Sequence, residues 1–103
     1  MNKLLDRLKQ IDPTTYKRYN TDKIICDMEL AIAVKDAWLQ ACLQTAIRSR
    51  GGWYWKISSQ QLDSTGKYVC EIVKENGWKS VWVREEGNSP ADAMLAAYIE
   101  AIA

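Results

Sequence analysis

Residues 53–85 read WYWKISSQQLDSTGKYVCEIVKENGWKSVWVRE, and this stretch decides the fold. Apolar and polar residues alternate in three segments of it, which is the period of a half-buried β-strand. The predicted strands are 53–59, 67–74 and 78–85. Asn76-Gly77 predicts a tight hairpin between the last two strands, because both residues tolerate positive φ. With a first turn predicted at 63–66, the stretch indicates a three-stranded antiparallel meander.

The residues that precede the meander begin with a predicted short helix and a connection. Leucine and isoleucine recur at helical spacing over 2–11, with charged residues between them, which indicates an amphipathic helix. This helix is expected to end at Asp12-Pro13, because the residue before a proline is pushed out of the α region. Residues 14–23 are polar apart from two tyrosines and predict a connecting segment.

Two further helices are predicted, one on each side of the meander. Helix-forming residues run without glycine or proline over about 27–50, which predicts a long helix. Gly51 and Gly52 are expected to close it, because glycine readily adopts the left-handed helix cap. Ser89 can cap the last helix, and Pro90 suits its first position. The predicted fold class is α+β: helix, long helix, three-stranded antiparallel meander and C-terminal helix, in a layered sandwich.

The length of the chain and its net charge limit which kinds of protein it can be. A chain of 103 residues fits one core, so we predict a single domain over 1–103. Within it, 1–23 form the N-terminal helix and connection, and 24–103 form the αβββα core. Lys and Arg total 14 and Asp and Glu total 13, for a net charge of +1. Proteins that attract nucleic-acid phosphates strongly usually have a marked excess of Lys and Arg. The near-equal numbers of basic and acidic residues here therefore disfavour a nucleic-acid partner.

The residue types that most often carry catalysis and metal binding are scarce. The chain has no histidine, which excludes histidine-based catalytic triads and most zinc sites. Its three cysteines, Cys26, Cys42 and Cys70, are widely spaced and predict reduced thiols. No apolar run approaches the ~20 residues that cross a bilayer. We therefore predict a cytoplasmic protein that is not an enzyme, needs no cofactor or metal and does not enter a membrane.

Short motifs in the second part of the chain occur in the same order as in a known protein family. They are Asp36-Ala37-Trp38, Trp53 with Trp55, Gly77-Trp78 before Val81-Trp82-Val83, and the run from Ser89 to Tyr98. With these motifs, residues 27–103 resemble the phage ABA-sandwich domain, found in small proteins of phages and prophages. The resemblance implies a layered α/β fold and a phage or prophage origin, and hence the host cytoplasm. It implies no functional residues.

One segment combines cations with aromatic side chains. Arg48 and Arg50 end the long helix, and Trp53, Tyr54 and Trp55 follow them. Arginines beside stacking rings can contact a small ligand, a nucleotide or nucleic acid, so Arg48 and Arg50 are candidate contacts. The structural alternative is a helix end with complementary charge, followed by tryptophans in the core. The pattern favours this alternative, because two cations form no extended phosphate track.

The predicted meander also has a second apolar face, turned away from the helices. Alternation leaves open whether Trp78 and Trp82 or Val81 and Val83 belong to that face. The candidate interaction surface comprises Tyr54, Val69, Val73, Trp78 and Trp82. A face this apolar is expected to be covered by the N-terminal helix, by a second copy of the protein or by a partner.

These observations favour a non-enzymatic protein-interaction or homo-oligomerising module of a phage or prophage. The expected partner is another protein or a second copy in a homodimer, and inhibition of a host or defence component is one such role. Two alternatives stay open. One is a small-ligand or nucleotide-binding module. The other is a weak nucleic-acid binder that uses Arg48, Arg50 and the adjacent aromatic residues.

Overall fold

A computed structural model describes residues 2–21, 32–59, 67–76 and 79–102. Its elements are α1 (Asn2–Ile11), α2 (Pro13–Thr21), α3 (Ile32–Arg48), β1 (Trp53–Ser59), β2 (Tyr68–Asn76), β3 (Lys79–Gly87) and α4 (Pro90–Ile102). This order of helices and strands is an α+β fold and confirms the predicted fold class. The predicted start of the long helix near Asp27, and the turns at 63–66 and Gly77, lie outside the described residues.

The junction between α1 and α2 is built from Asp12 and Pro13. The predicted end of α1 is confirmed, but the predicted connection at 14–23 is wrong, because the chain is helical as far as Thr21. Asp12 caps α2: its carboxylate accepts hydrogen bonds from the backbone N–H of Thr15 at 3.2 Å and from the Thr15 hydroxyl at 2.7 Å. Proline has the φ that the first helical position requires. The proline that ends α1 therefore also begins α2.

The two N-terminal helices add to the helical layer of the molecule. Leu8 of α1 is fully buried in the core, and Tyr16 and Tyr19 of α2 pack against that core. The indole N–H of Trp38 in α3 donates a hydrogen bond to the carbonyl oxygen of Tyr19 at 3.0 Å. α1 itself packs against α2 and α4. The N-terminal helix, one of the three covers expected for the second face of the sheet, therefore packs on other helices instead.

Two glycines turn the chain from α3 into β1. Gly51 and Gly52 have φ of 57° and 72°, in the left-handed region that glycine adopts without a Cβ clash. Arg48 lies in the last turn of α3, where positive charge suits the negative end of the helix dipole. The predicted closure of the long helix by glycine is confirmed.

The three strands form one antiparallel sheet in the order β1-β2-β3, as predicted. Trp55, Ile72 and Val83 form one cross-strand row, and this face of the sheet packs against the buried core. Tyr54 and Trp82 lie on the opposite face, which we call the outer face. The outer face carries the alternate residues of the strands, Tyr54, Lys56, Ser58, Val69, Glu71, Val73, Glu75, Ser80, Trp82, Arg84 and Glu86.

The last helix, α4, supplies the centre of the core. Ser89 caps it, since its Oγ accepts a hydrogen bond from the N–H of Asp92 at 3.1 Å, and Pro90 occupies the first position, as predicted. The helix approaches the sheet so closely that a Cβ on Gly87 would collide with the backbone nitrogen of Ala93. The buried residues of α4 are Ala91, Ala93, Met94, Leu95, Ala97, Tyr98, Ile99 and Ala101.

Candidate interaction surface

The outer face carries a row of apolar side chains that crosses all three strands. The register pairs Tyr54 of β1 with Val73 of β2, and Val73 with Trp82 of β3. Tyr54 is 56% exposed, Trp82 is 65% exposed, and Val73 between them is half-buried. We call these three residues the aromatic row. Directly opposite side chains on one face of a sheet lie within reach of each other, so the three residues form one apolar strip across the strands.

The structure decides which β3 side chains face the core. Val83 packs against the core, whereas Trp82 points to the outer face, so the valines and not the tryptophan are on the helix side. Trp78 lies outside the described residues. Val69 shares the outer face but is only 1% exposed. It offers no surface to a partner, contrary to the prediction.

A charged row borders the aromatic row on the same face. Lys56, Glu71 and Arg84 lie opposite one another across the three strands. The Nε of Arg84 lies 3.9 Å from an Oε of Glu71, and both Lys56 and Arg84 are exposed. An apolar centre with a charged border is the usual composition of a protein-binding patch.

Three cations and two tryptophans gather on the helix side, at the end of the sheet where β1 begins. The guanidinium of Arg48 lies 5.2 Å from the Trp55 ring centroid, and that of Arg50 lies 5.2 Å from the Trp53 centroid. The Nζ of Lys74 lies 5.4 Å from the Trp53 centroid and donates a hydrogen bond to a carbonyl of the last turn of α4 at 2.8 Å. We call these five residues the cation–tryptophan cluster.

Lys74 is the member of this cluster that sequence reasoning missed. Arg48 and Arg50 were predicted from the sequence as candidate contacts, and both lie against tryptophan rings in the structure. Lys74 shares the strand face of the buried residues Cys70 and Ile72, and it pairs with Trp53 across the sheet. A lysine at a core-facing strand position was the available signal, since such a position needs a partner for the charge.

Arg50 also belongs to a polar network that joins both ends of the chain. The Tyr98 hydroxyl donates a hydrogen bond to the Asp12 carboxylate, and Arg50 donates one to the Tyr98 oxygen at 3.2 Å. The Arg50 guanidinium lies 4.0 Å from the same carboxylate oxygen. Burial raises the pKa of Asp12, but the hydrogen bonds from Thr15 and Tyr98 outweigh it and lower the pKa. Burial, together with the bond to Asp12, raises the pKa of Tyr98.

The two described cysteines are buried in the packed interior of the protein. Cys42 and Cys70 form no disulfide, and both are buried, as predicted from their apolar faces. Burial, with a contribution from the Glu71 charge, raises the pKa of Cys70 to about 12. The thiolate is the nucleophilic form, so this thiol is inert near neutral pH. Cys26 lies outside the described residues, and among residues 2–21, 32–59, 67–76 and 79–102 no cluster of His, Cys, Asp and Glu could hold a metal ion.

No family model matches this chain, and neither does any curated protein or solved structure that it was compared with. The resemblance to the phage ABA-sandwich domain therefore stays a prediction. None of the helices over 2–21, 32–48 and 90–102 is long and apolar enough to span a bilayer.

Proposed function

We propose that this protein is a non-enzymatic protein-interaction module whose binding surface is the outer face of its sheet. The observation that carries the proposal is the aromatic row, in which a tyrosine and a tryptophan remain more than half exposed on either side of Val73. Exposed apolar strips of this kind mark interaction sites in soluble proteins. Tryptophan, tyrosine and arginine are also the residues that most often dominate binding energy at protein interfaces.

Rigidity supports the same proposal. The aromatic row lies on regular strands that are backed by a buried core, so its side chains are held in place before a partner arrives. A preorganised surface loses less conformational entropy on binding than a loop does. The charged row of Lys56, Glu71 and Arg84 would then orient the partner through complementary charge.

The resemblance to a phage domain favours a bacterial protein as the partner, met in the host cytoplasm. Inhibition of a host enzyme or of a defence component would need only that the outer face bind and block a surface of that protein. No catalytic group is required for such a role, which fits the inert thiols and the lack of histidine.

Affinity capture from a bacterial lysate tests this proposal when face variants are compared with a matched control. Tyr54→Ala and Trp82→Ala should each reduce recovery of the same partner at least several-fold, because truncated hot-spot residues cost about 2 kcal/mol or more. Arg7→Ala, an exposed change on α1, should recover as much as the wild type. Equal recovery by all four proteins would remove the outer face as the binding surface.

A second candidate function, binding of a nucleotide or another small anion, rests on the cation–tryptophan cluster. The cluster adds Lys74 to the two arginines, so three cationic groups lie near two aromatic rings. The rings are already in contact with the protein's own cations, which leaves less room for a stacked base than open tryptophans would. The aromatic row, whose rings are exposed, therefore supports the first function better.

Thermal unfolding in the presence of nucleotides, inorganic phosphate and short oligonucleotides tests this second function. A ligand present at 100 times its dissociation constant stabilises the folded state by about 2.7 kcal/mol, which is readily seen as a rise in Tm. Arg48→Ala should abolish that rise, whereas Lys9→Ala on α1 should keep it. The absence of any rise across the panel would eliminate this function and leave the protein-interaction proposal untouched.

A further inference from the structure

The strand β3 lies at an edge of the sheet that the described strands form. The N–H of Glu75 bonds to the carbonyl oxygen of Gly52 at 2.9 Å, so the odd-numbered residues of β2 direct their backbone groups toward β1. In an antiparallel sheet this direction alternates along each strand. The register then points the N–H and C=O groups of Ser80, Trp82 and Arg84 away from β2. The edge of β3 can therefore form backbone hydrogen bonds with one more strand.

The centre of this edge is apolar and is exposed on both faces of the sheet. Val81 is 47% exposed on the helix side, and Trp82 is 65% exposed on the outer face. Neither proline nor glycine interrupts the strand from Lys79 to Glu86. Proline, bulges or a covering element commonly protect natural edge strands, and an exposed apolar edge invites pairing with another chain. Among the described strands, only β2 pairs with β3.

We infer that β3 pairs antiparallel with β3 of a second copy of this protein, about a two-fold axis at Trp82. The sequence of the strand is self-complementary in that register. Lys79 of one copy lies opposite Glu85 of the other, and Val81 lies opposite Val83, each contact occurring twice. Ser80, Trp82 and Arg84 then exchange backbone hydrogen bonds across the axis, since these are the residues whose backbone groups point outward.

The two neighbouring registers are less favourable, which is why the axis is assigned to Trp82. With the axis at Val81, Lys79 would lie opposite Val83 of the second copy, a charge against an apolar side chain. With the axis at Val83, Val81 would lie opposite Glu85 of the second copy, and Lys79 would lie opposite Gly87. An apolar side chain would then face a carboxylate, and the lysine would lose its opposite charge. A shift by a single residue in the pairing would place side chains of opposite sheet faces against each other, which an antiparallel pair does not allow.

Pairing at this edge would extend the binding surface that we propose for the monomer. The two aromatic rows would meet at Trp82 and form one strip across six strands, three from each copy. With strands about 4.8 Å apart, this strip would be roughly 24 Å long. The inference goes beyond the proposed function, because pairing at the edge leaves the outer face free and a monomer could still bind a partner.

Disulfide trapping tests the register directly in the full-length chain. Trp82→Cys should form a disulfide-linked dimer on mild oxidation, because residues opposite each other in a hydrogen-bonded pair have Cα atoms about 5.5 Å apart. Arg84→Cys is the matched control on the same strand and face, and it should form no disulfide-linked dimer, because the two Arg84 positions lie on opposite sides of the axis and far apart. The wild type gives the background from the native thiols. Equal cross-linking of the two variants, or none of Trp82→Cys, would overturn the inference.

Light scattering and sedimentation at increasing protein concentration test the dimer without a cross-link. The wild type should approach twice the monomer mass. Ser80→Pro removes an outward N–H but none that β2 uses, so it should fold normally and stay monomeric. Circular dichroism with urea unfolding verifies the fold of that variant. A wild type that remains monomeric, or a dimer that a folded Ser80→Pro variant preserves, would contradict edge pairing.

Exchanging the charges of Lys79 and Glu85 tests the register of the dimer, because a second substitution should reverse the effect of the first. Lys79→Glu should weaken the dimer roughly tenfold, because it places like charges opposite each other at two symmetric contacts. The double variant Lys79→Glu with Glu85→Lys should restore the wild-type affinity. Failure of the rescue, with both variants folded, would contradict the register. Tyr54→Ala, by contrast, should reduce partner capture and leave the dimer intact, so failure of the dimer and failure of the proposed function can be told apart.

Discussion

The hydroxyl of Tyr98 donates a hydrogen bond to the carboxylate of Asp12, across 86 positions of the sequence. This bond joins α4, at the centre of the core, to the junction of α1 and α2. The Thr15 hydroxyl bonds to the same carboxylate oxygen, and Arg50 bonds to the tyrosine oxygen. Asp12 thus caps one helix and holds the N-terminal pair of helices against the last one.

Replacement of this carboxylate should destabilise the whole fold. Asp12→Asn keeps the size of the side chain but removes the charge that Tyr98, Thr15 and Arg50 surround. We expect a loss of about 1–3 kcal/mol in the free energy of unfolding, the usual cost when a buried hydrogen-bond partner is removed. Urea denaturation measures it. Asp6→Asn, an exposed change on α1, should alter the free energy by less than about 0.5 kcal/mol.

The same carboxylate should make stability depend on pH in a defined window. Its pKa is lowered in the folded state, so its contribution is present above the ordinary value of 3.8 and is lost as the pH falls through the folded value. The stability difference between the wild type and Asp12→Asn should therefore be constant near neutral pH and shrink below about pH 4. Unfolding measured at a series of pH values tests this. A difference that grows on acidification would contradict it.

Two apolar residues, one from each face of the sheet, should differ sharply in their importance for stability. Ile72→Ala removes a fully buried side chain from the core face and should cost about 2–5 kcal/mol. Trp82→Ala removes a larger side chain from the outer face, but it should cost less than about 1 kcal/mol, the range of cross-strand contacts. Urea unfolding compares the two. A cost for Trp82→Ala as large as that for Ile72→Ala would mean that the tryptophan holds the fold together.

The thiol of Cys70 should be protected from alkylation in the native protein. Its pKa is raised to about 12 by burial, so almost no thiolate is present at pH 8. Iodoacetamide at that pH, followed by peptide mass spectrometry, should leave Cys70 unmodified until denaturant is added. Rapid labelling of Cys70 in the folded protein would show that the core opens readily.

The local signals in the sequence predicted the elements well. β1 begins at Trp53 and ends at Ser59, as its alternation predicted, and Gly51 and Gly52 close α3. These features depend on side-chain period and on glycine φ, which act over a few residues. α2 was missed because its sequence, PTTYKRYNT, is mostly polar and rich in threonine, tyrosine and asparagine, which have low helix propensity. Its helix depends on the Asp12 cap and on packing against the core.

The surfaces were harder to predict, because they depend on which elements pack together. Alternation alone could not orient β3, since Trp82 and Val83 are both apolar. The register with β2 places Val83 over the core and leaves Trp82 exposed. Likewise, Asp12 and Tyr98 lie too far apart in sequence for any local pattern to connect them.

Photo-cross-linking tests most directly whether the outer face binds a protein. A photoreactive phenylalanine analogue is placed at Tyr54, at Trp82 or, as a control, at the exposed Arg18 of α2, and bacterial cells that express each protein are irradiated. We predict that positions 54 and 82 give an adduct with the same protein and that position 18 gives none. Adducts that are absent from both outer-face positions, or equally abundant at position 18, would contradict the proposed binding surface.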